Sequence, residues 1–216
     1  RSIVDVAGDL GPLFAKRATQ AGDEDTYVAD NIADLKAAGL VEAGVPRDFG
    51  GGGADVDELA AMLRTLAYHC GSTGLAFSMH THQVAIPAWR WTHQKVAAVE
   101  PLLKRIASER IMLLSSGGSD WITGSGKAVK VEGGYRIDAR KVFTSGAPTG
   151  DILMTGAVLE DPTEGPTVLH FGLPMNSPNV KVLDTWHTLG MRGTGSHDVL
   201  IEGHVVPDAA VAMRRK

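Results

Sequence analysis

The sequence predicts an α+β chain, with an N-terminal α-helical domain over residues 1–109 followed by a small antiparallel β-barrel or sandwich domain over 110–216. Three observations carry that division. Up to about residue 110 apolar residues recur at spacings of three and four, the period of one helix face. Beyond it come runs of strand length separated by glycine and other turn residues. A length of 216 residues accommodates one large domain or two small ones, so size does not oppose the division.

In the helical part, residues 28–38 place Val28, Ile32, Leu35 and Ala38 on one face, and Gly39 stands where a left-handed residue ends a helix. Gly50 to Gly53 reads as a joint between helices, because a run of glycines is costly inside any regular element. Asp55 then caps the next helix while Glu58 reaches back in a capping box, and Leu59, Met62, Leu63 and Leu66 form its buried stripe. Ser72 is the expected cap of a third helix through Leu75, Phe77, Met79 and Val84, which Pro87 should bend or end. A last helix, 94–107, offers Val96, Val99, Leu103 and Ile106.

The expected strands are 111–114, 127–131, 135–138, 152–159, 167–171, 181–183 and 198–201. Gly133-Gly134 reads as a two-residue hairpin turn with positive φ at both positions, and residues 161–166 as a polar turn.

Composition narrows the function. A net charge of -4 with no block of like charges argues against nucleic acid as a partner. The single cysteine, Cys70, cannot form an internal disulfide, which points to a reducing, cytoplasmic setting. No apolar run approaches the roughly 20 residues that span a bilayer, and the start lacks a secretory pattern, so no membrane partner is expected. Arg1 in place of Met implies a trimmed start.

Several tempting motifs fail on context. Gly126-Lys127 resembles a phosphate loop, but Trp121 and Ala128 occupy positions that need Gly and Ser or Thr. Gly193-Thr194-Gly195 lacks the third glycine of a dinucleotide fingerprint. His80 and His82 are two apart on a helix and face away from each other, so structural roles are expected for them and for His69, His93 and His170, and no metal site. Trp89 and Trp91 are expected as packing anchors. There is no Gly-x-Ser-x-Gly elbow to suggest a hydrolase.

Two loops stand out. In 115–120 the small residues of Ser115-Ser116-Gly117-Gly118-Ser119-Asp120 let backbone N–H groups approach a polar ligand, with hydroxyls as further donors. In Lys141-Val142-Phe143-Thr144-Ser145-Gly146 an aromatic ring lies two residues from a hydroxyl, a pairing suited to a flat heterocycle and its polar edge.

Taken in order, these pieces resemble the acyl-CoA dehydrogenase superfamily over essentially the whole chain. The order begins with Leu35-Lys36-Ala37-Ala38-Gly39-Leu40 followed by Val45-Pro46-Arg47-Asp48-Phe49-Gly50-Gly51. It continues through the Ser115 and Lys141 loops to Trp186-His187-Thr188-Leu189-Gly190-Met191-Arg192-Gly193-Thr194-Gly195-Ser196-His197-Asp198 and Val205-Val206-Pro207. The resemblance implies FAD as cofactor and α,β-dehydrogenation of an acyl-CoA thioester, a role in fatty acid metabolism, with hydride passing to flavin N5. It places Ser115 at the pyrimidine edge, Gly118 and Ser119 toward the pyrophosphate or thioester, Met112 and Leu114 along the ring, Phe143 against the isoalloxazine and Ser145 near N5. The first loop is shorter than the family's and holds Ser116 where a glutamate is usual, so with a slip of one residue Ser115 and Ser116 exchange roles.

In the family a further helical domain supplies the catalytic carboxylate, and a homo-oligomer, a dimer or tetramer, is expected of the full-length protein. The chain ends at Lys216, so the expectation is a form truncated before that base, with no catalytic residue of its own. Glu202 and Asp198 are set aside as carboxylates on an exposed edge strand, and Arg192 is expected to hold a loop. Two alternatives share the fold. One is a two-component flavin monooxygenase using FMN or another reduced flavin as co-substrate. The other is a non-catalytic subunit that pairs with a catalytic chain.

Overall fold

The computed structural model describes residues 1–24, 26–163 and 165–216, with the side chains of 20–24 and 119 also outside the description. The chain divides into two compact units, one of residues 1–113 with 187–195 and one of 114–186 with 196–216. The helical unit therefore takes in the stretch from His187 to Gly195, most of the last motif of the sequence.

The helical unit contains α1 (Ile3–Glu24), α2 (Ala29–Ala37), α3 (Val56–His69), α4 (Gly71–Gln94) and α5 (Glu100–Glu109). Phe14, Ile32, Leu35, Met62, Leu66, Phe77, Leu103 and Ile106 are fully buried and form its core. Helix α1 is not among the helices expected from the sequence, although Ala7, Gly11 and Phe14 are buried at helical spacing; Gly8, Gly11 and Pro12 within it are poor helix formers. Gly11 is needed there, since a Cβ would lie 2.1 Å from the His69 ring of α3. Asn31 ties α1, α2 and α4 together, donating to Thr73 Oγ1 at 2.8 Å and accepting from Arg17 at 3.1 Å.

The Asp55–Glu58 capping box forms as expected, with both reciprocal bonds present. Helix α4 departs from expectation at both ends. Its N-cap is Cys70, whose Sγ accepts from the Thr73 N–H, and it runs through the buried Pro87 to Gln94. Proline forfeits one backbone bond inside a helix, and α4 nonetheless continues past it with the Pro87 ring buried. The next helix consequently starts at Glu100, with Pro101 in its first turn, and leaves Val96 and Val99 outside it. His80 is structural, since Nε2 bonds the Val41 carbonyl at 2.8 Å and Nδ1 accepts the Leu113 N–H at 2.9 Å. Trp91 packs on Phe49, whereas Trp89 is half exposed against the expectation of an anchor. Among the described residues no helix is long and apolar enough to cross a membrane.

The other unit is built on β1 (Leu113–Ser115), α6 (Gly118–Ile122), β2 (Lys127–Val131), β3 (Gly134–Lys141), β4 (Ile152–Asp161), β5 (Gly165–Pro174), β6 (Val180–Val182), β7 (Val199–Pro207) and β8 (Val211–Arg215). The described strands form one sheet in the order β6-β7-β3-β2-β4-β5-β8, with β1 paired to β4. It is mixed rather than purely antiparallel, because β2 and β4 pair in parallel through Lys127–Val158 and Ala128–Leu159. Strand β7 lies between β6 and β3, so Asp198 and Glu202 do not mark an edge. Asp198 is instead paired with Arg140 at 2.6 Å.

The β2–β3 turn is shifted by one residue. Val131 pairs with Gly134, which puts Glu132 and Gly133 in the loop, and of the two glycines only Gly133 has positive φ, +73°. Gly134 answers a different need, for a Cβ there would lie 2.3 Å from the Val206 carbonyl oxygen of β7. Glu164 of the expected polar turn lies outside the described residues.

Candidate functional site

Three loops of the sheet unit are joined by main-chain bonds. The loop after β1 meets the loop after β3 where Gly117 N–H donates to the Val142 carbonyl at 2.9 Å. The loop after β3 meets the segment before β7 where Thr144 N–H donates to the His197 carbonyl at 3.1 Å. His197 Nδ1 in turn accepts from the N–H groups of Thr185 and Trp186, each at 3.1 Å, which fixes that segment.

Onto this frame the sequence sets Phe143, Ser145, Ser115 and Ser116. Phe143 is 60% exposed and adopts φ +55°, a left-handed conformation that a bulky residue enters only at a cost. Its ring meets Trp186 edge to face with centroids 6.1 Å apart, and its Cδ2 lies 3.5 Å from where a Cβ on Gly117 would be. Glycine at 117 thus keeps room beside the ring. The Ser145 and Ser196 hydroxyls are buried and bonded to each other at 2.8 Å, in a bond that either can donate. The buried hydroxyl of Thr144 has no hydrogen-bond partner among the described residues. A ring face, a donor and an unused hydroxyl on consecutive residues suit a flat polar heterocycle.

Ser115 and Ser116 differ in their commitments. The Ser116 hydroxyl pairs with Thr155 Oγ1 at 3.0 Å. Ser115 Oγ accepts the indole N–H of Trp121 at 3.0 Å and donates to the Ser116 carbonyl at 3.2 Å. Gly118 opens α6 with nothing within 4 Å of a Cβ there, and Ser119 follows in the same helix, its side chain outside the described residues. The two apolar candidates are core residues. Met112 is fully buried in the helical unit, and Leu114 is fully buried over Gly150, where a Cβ would lie 2.2 Å from its Cγ.

Beneath α6 sits a charge that the sequence reading does not single out. Lys141 Nζ donates to the Gly156 carbonyl at 2.6 Å and the Ser125 carbonyl at 2.8 Å, and lies 3.4 Å from the Asp120 carboxylate. Burial pulls its pKa below the usual lysine value, with Asp120 opposing. The signal was present in β3, whose alternation turns Tyr135, Ile137, Ala139 and Lys141 to the buried face. Trp121 stacks on the buried His170 at 5.3 Å, and Arg215 holds the Trp121 and Ile122 carbonyls at 3.0 and 2.8 Å. Arg192, as expected, holds its loop, through the Thr188 carbonyl at 3.2 Å.

Comparison with known proteins agrees with the motifs. Residues 12–108 match the family described as acyl-CoA dehydrogenase, N-terminal domain. The chain is 30% identical over 206 residues to a pigment production hydroxylase of Rhodococcus sp. (strain ATCC 21145), covering 95% of this chain and 50% of that protein. It is 28% identical over 207 residues to the FADH(2)-dependent resorcinol hydroxylase, oxygenase component, of Rhizobium sp. (strain MTP-10005), covering 94% and 46%. The fold matches that of TdsC from Paenibacillus sp. A11-2, solved with FMN and indole, with a TM-score of 0.86 and 22% identity over 98% of this chain and 53% of that one. The chain spans about half the length of the curated relatives it matches. With its helical segment, its ordered motifs and this architecture, the chain belongs to the acyl-CoA dehydrogenase superfamily.

Proposed function

We propose that this chain forms the flavin-facing part of an oxygenase that uses reduced flavin, supplied by a separate reductase, to hydroxylate a small organic substrate. The observation that carries the reading is the similarity, over 94% of the chain, to an oxygenase component whose name states its FADH(2) dependence, alongside a second hydroxylase at 30% identity. It favours the monooxygenase alternative over α,β-dehydrogenation, and with it a small organic substrate over an acyl-CoA thioester of fatty acid metabolism.

The residues of the joined loops fit a flavin. Phe143 presents an exposed ring held by its backbone, Gly117 leaves space beside it, and the Ser145–Ser196 pair and Thr144 provide hydroxyls beside that face. In this reading Phe143 packs on the ring system, Ser145 donates near its central nitrogen, and Ser115 donates to the pyrimidine edge. The chemistry supplied by reduced flavin is the delivery of two electrons to dioxygen, so that one oxygen atom enters the substrate and the other leaves as water. The chain's own part is orientation and charge, because donors fixed before reaction stabilise charge with no reorganisation.

The test uses the full-length protein with an NADH-driven flavin reductase and a phenolic substrate, following oxygen uptake and hydroxylated product. Product formed only when reduced flavin and oxygen are both present supports the proposal. Bleaching of bound flavin by an acyl-CoA, with no oxygen-coupled product, would restore the dehydrogenase reading.

A further inference from the structure

We propose that Trp121 is a positioning residue of this site, its indole N–H holding Ser115 Oγ so that the serine hydrogen is reserved for an acceptor on the bound flavin. The inference rests on the flavin reading above.

The argument starts from the chemistry of the donor. An indole nitrogen can only donate, so its bond to Ser115 Oγ at 3.0 Å has one direction. A tyrosine, a histidine or a water in that place could reverse roles and take the serine hydrogen. With the indole there, the hydrogen must go elsewhere, and at present it reaches the Ser116 carbonyl at 3.2 Å, longer than the usual O–H···O spacing of about 2.7–2.8 Å. It is therefore available to a better acceptor, such as a pyrimidine carbonyl. Accepting from the indole also polarises the O–H and strengthens the bond it gives. Ser116 offers no such control, since its hydroxyl pairs with Thr155 in a bond that either partner can donate.

The fixing of Trp121 supports the same role. Arg215 bonds its carbonyl and that of Ile122, and Asp120, the preceding residue, is paired with the buried Lys141. The indole lies over His170 with an interplanar angle of 21°. Neither nitrogen of that imidazole has a hydrogen-bond partner among the described residues, so His170 acts as a flat surface, and burial with nearby Arg215 and Lys141 lowers its pKa and favours the neutral ring. A five-residue helix held at its carbonyls, its acid and its aromatic ring has little freedom to move the indole nitrogen.

The test is Trp121→Phe in the full-length protein, which keeps the stacked ring and deletes only the donor. With FMN as the probe, its dissociation constant should rise about five- to tenfold, and the reduction potential of bound FMN should become more negative, while the melting temperature stays near wild type. Ser115→Ala should weaken FMN similarly, and the double variant should be no worse than Ser115→Ala alone, because the indole acts only through the hydroxyl. Additive losses, or wild-type affinity and potential in Trp121→Phe, would overturn the proposal. Should Trp121→Phe unfold, Ser115→Thr and Ser115→Ala decide: affinity kept by the first and lost by the second supports it, and wild-type affinity in both refutes it. If the wild-type protein binds neither FMN nor FAD, oxidised or reduced, the flavin reading fails and this inference with it, whereas equal, tight binding by wild type and Trp121→Phe removes only the role of Trp121.

Discussion

Lys141 Nζ lies 3.4 Å from the Asp120 carboxylate with the two side chains 0% and 4% exposed, an ion pair that ties α6 to the end of β3. Removing one partner of a buried pair leaves the other charge uncompensated. Lys141→Met should therefore cost about 3–5 kcal/mol in urea unfolding. Adding Asp120→Asn should recover part of that, because the orphaned charge disappears. A loss below about 1 kcal/mol in the single variant would show that the pair does not anchor α6.

The acid limb of stability should trace in part to His170. Burial, Arg215 and Lys141 hold its pKa below the ordinary 6.5. Above 6.5 the imidazole is neutral folded or unfolded and has no effect; as pH falls below that value the unfolded chain takes a proton that the folded chain refuses. Stability is thus full above this point and declines below it. His170→Phe should flatten the fall in urea midpoint between roughly pH 7 and 5, leaving a smaller slope from His204, which burial shifts the same way. An unchanged slope would argue against the assignment.

Gly134→Ala should destabilise the sheet by about 2–4 kcal/mol, because the new Cβ would have to displace the β7 backbone. Gly133→Ala, with open space around its Cβ position but φ +73°, should cost only about 1 kcal/mol. Thermal melts of the two variants check the order, and a larger loss at Gly133 would contradict it.

Phe143→Gly should separate stability from binding. Relief of the left-handed backbone, worth about 1 kcal/mol, offsets the entropy that glycine adds to the unfolded chain, so the melting temperature should hardly change. FMN affinity should fall at least tenfold as the ring face is lost. A variant that binds FMN as wild type does would remove Phe143 from the site.

The legible parts of the fold were those set by local chemistry. Asp55 and Glu58 are neighbours on one helical turn, so their capping box was readable from spacing alone. Pro87 does not end α4, which runs on to Gln94, and the burial of Pro87 cannot be read from its neighbours in sequence. Gly133-Gly134 was misplaced by one residue because Gly134 serves β7, some 70 residues away in sequence, and not the turn. Strand β8, Val-Ala-Met-Arg-Arg, shows no alternation and was missed. At the site, Phe143 and Ser145 lie on the joined loops, and Ser115 closes β1 immediately before one of them. Met112 and Leu114 were picked out by their neighbours in sequence and lie in the core. Trp121 was invisible because its partnership with Ser115 depends on the fold of α6.

The bonds from Gly117 to Val142 and from Thr144 to His197 run from main chain to main chain. Such links are indifferent to which side chains the loops carry. Exchanges at Ser116, Phe143, Ser145 or Ser196 would alter the chemistry of the surface and leave its scaffold standing. This makes the three loops a natural place for new specificities to arise by descent and a practical one for combinatorial libraries.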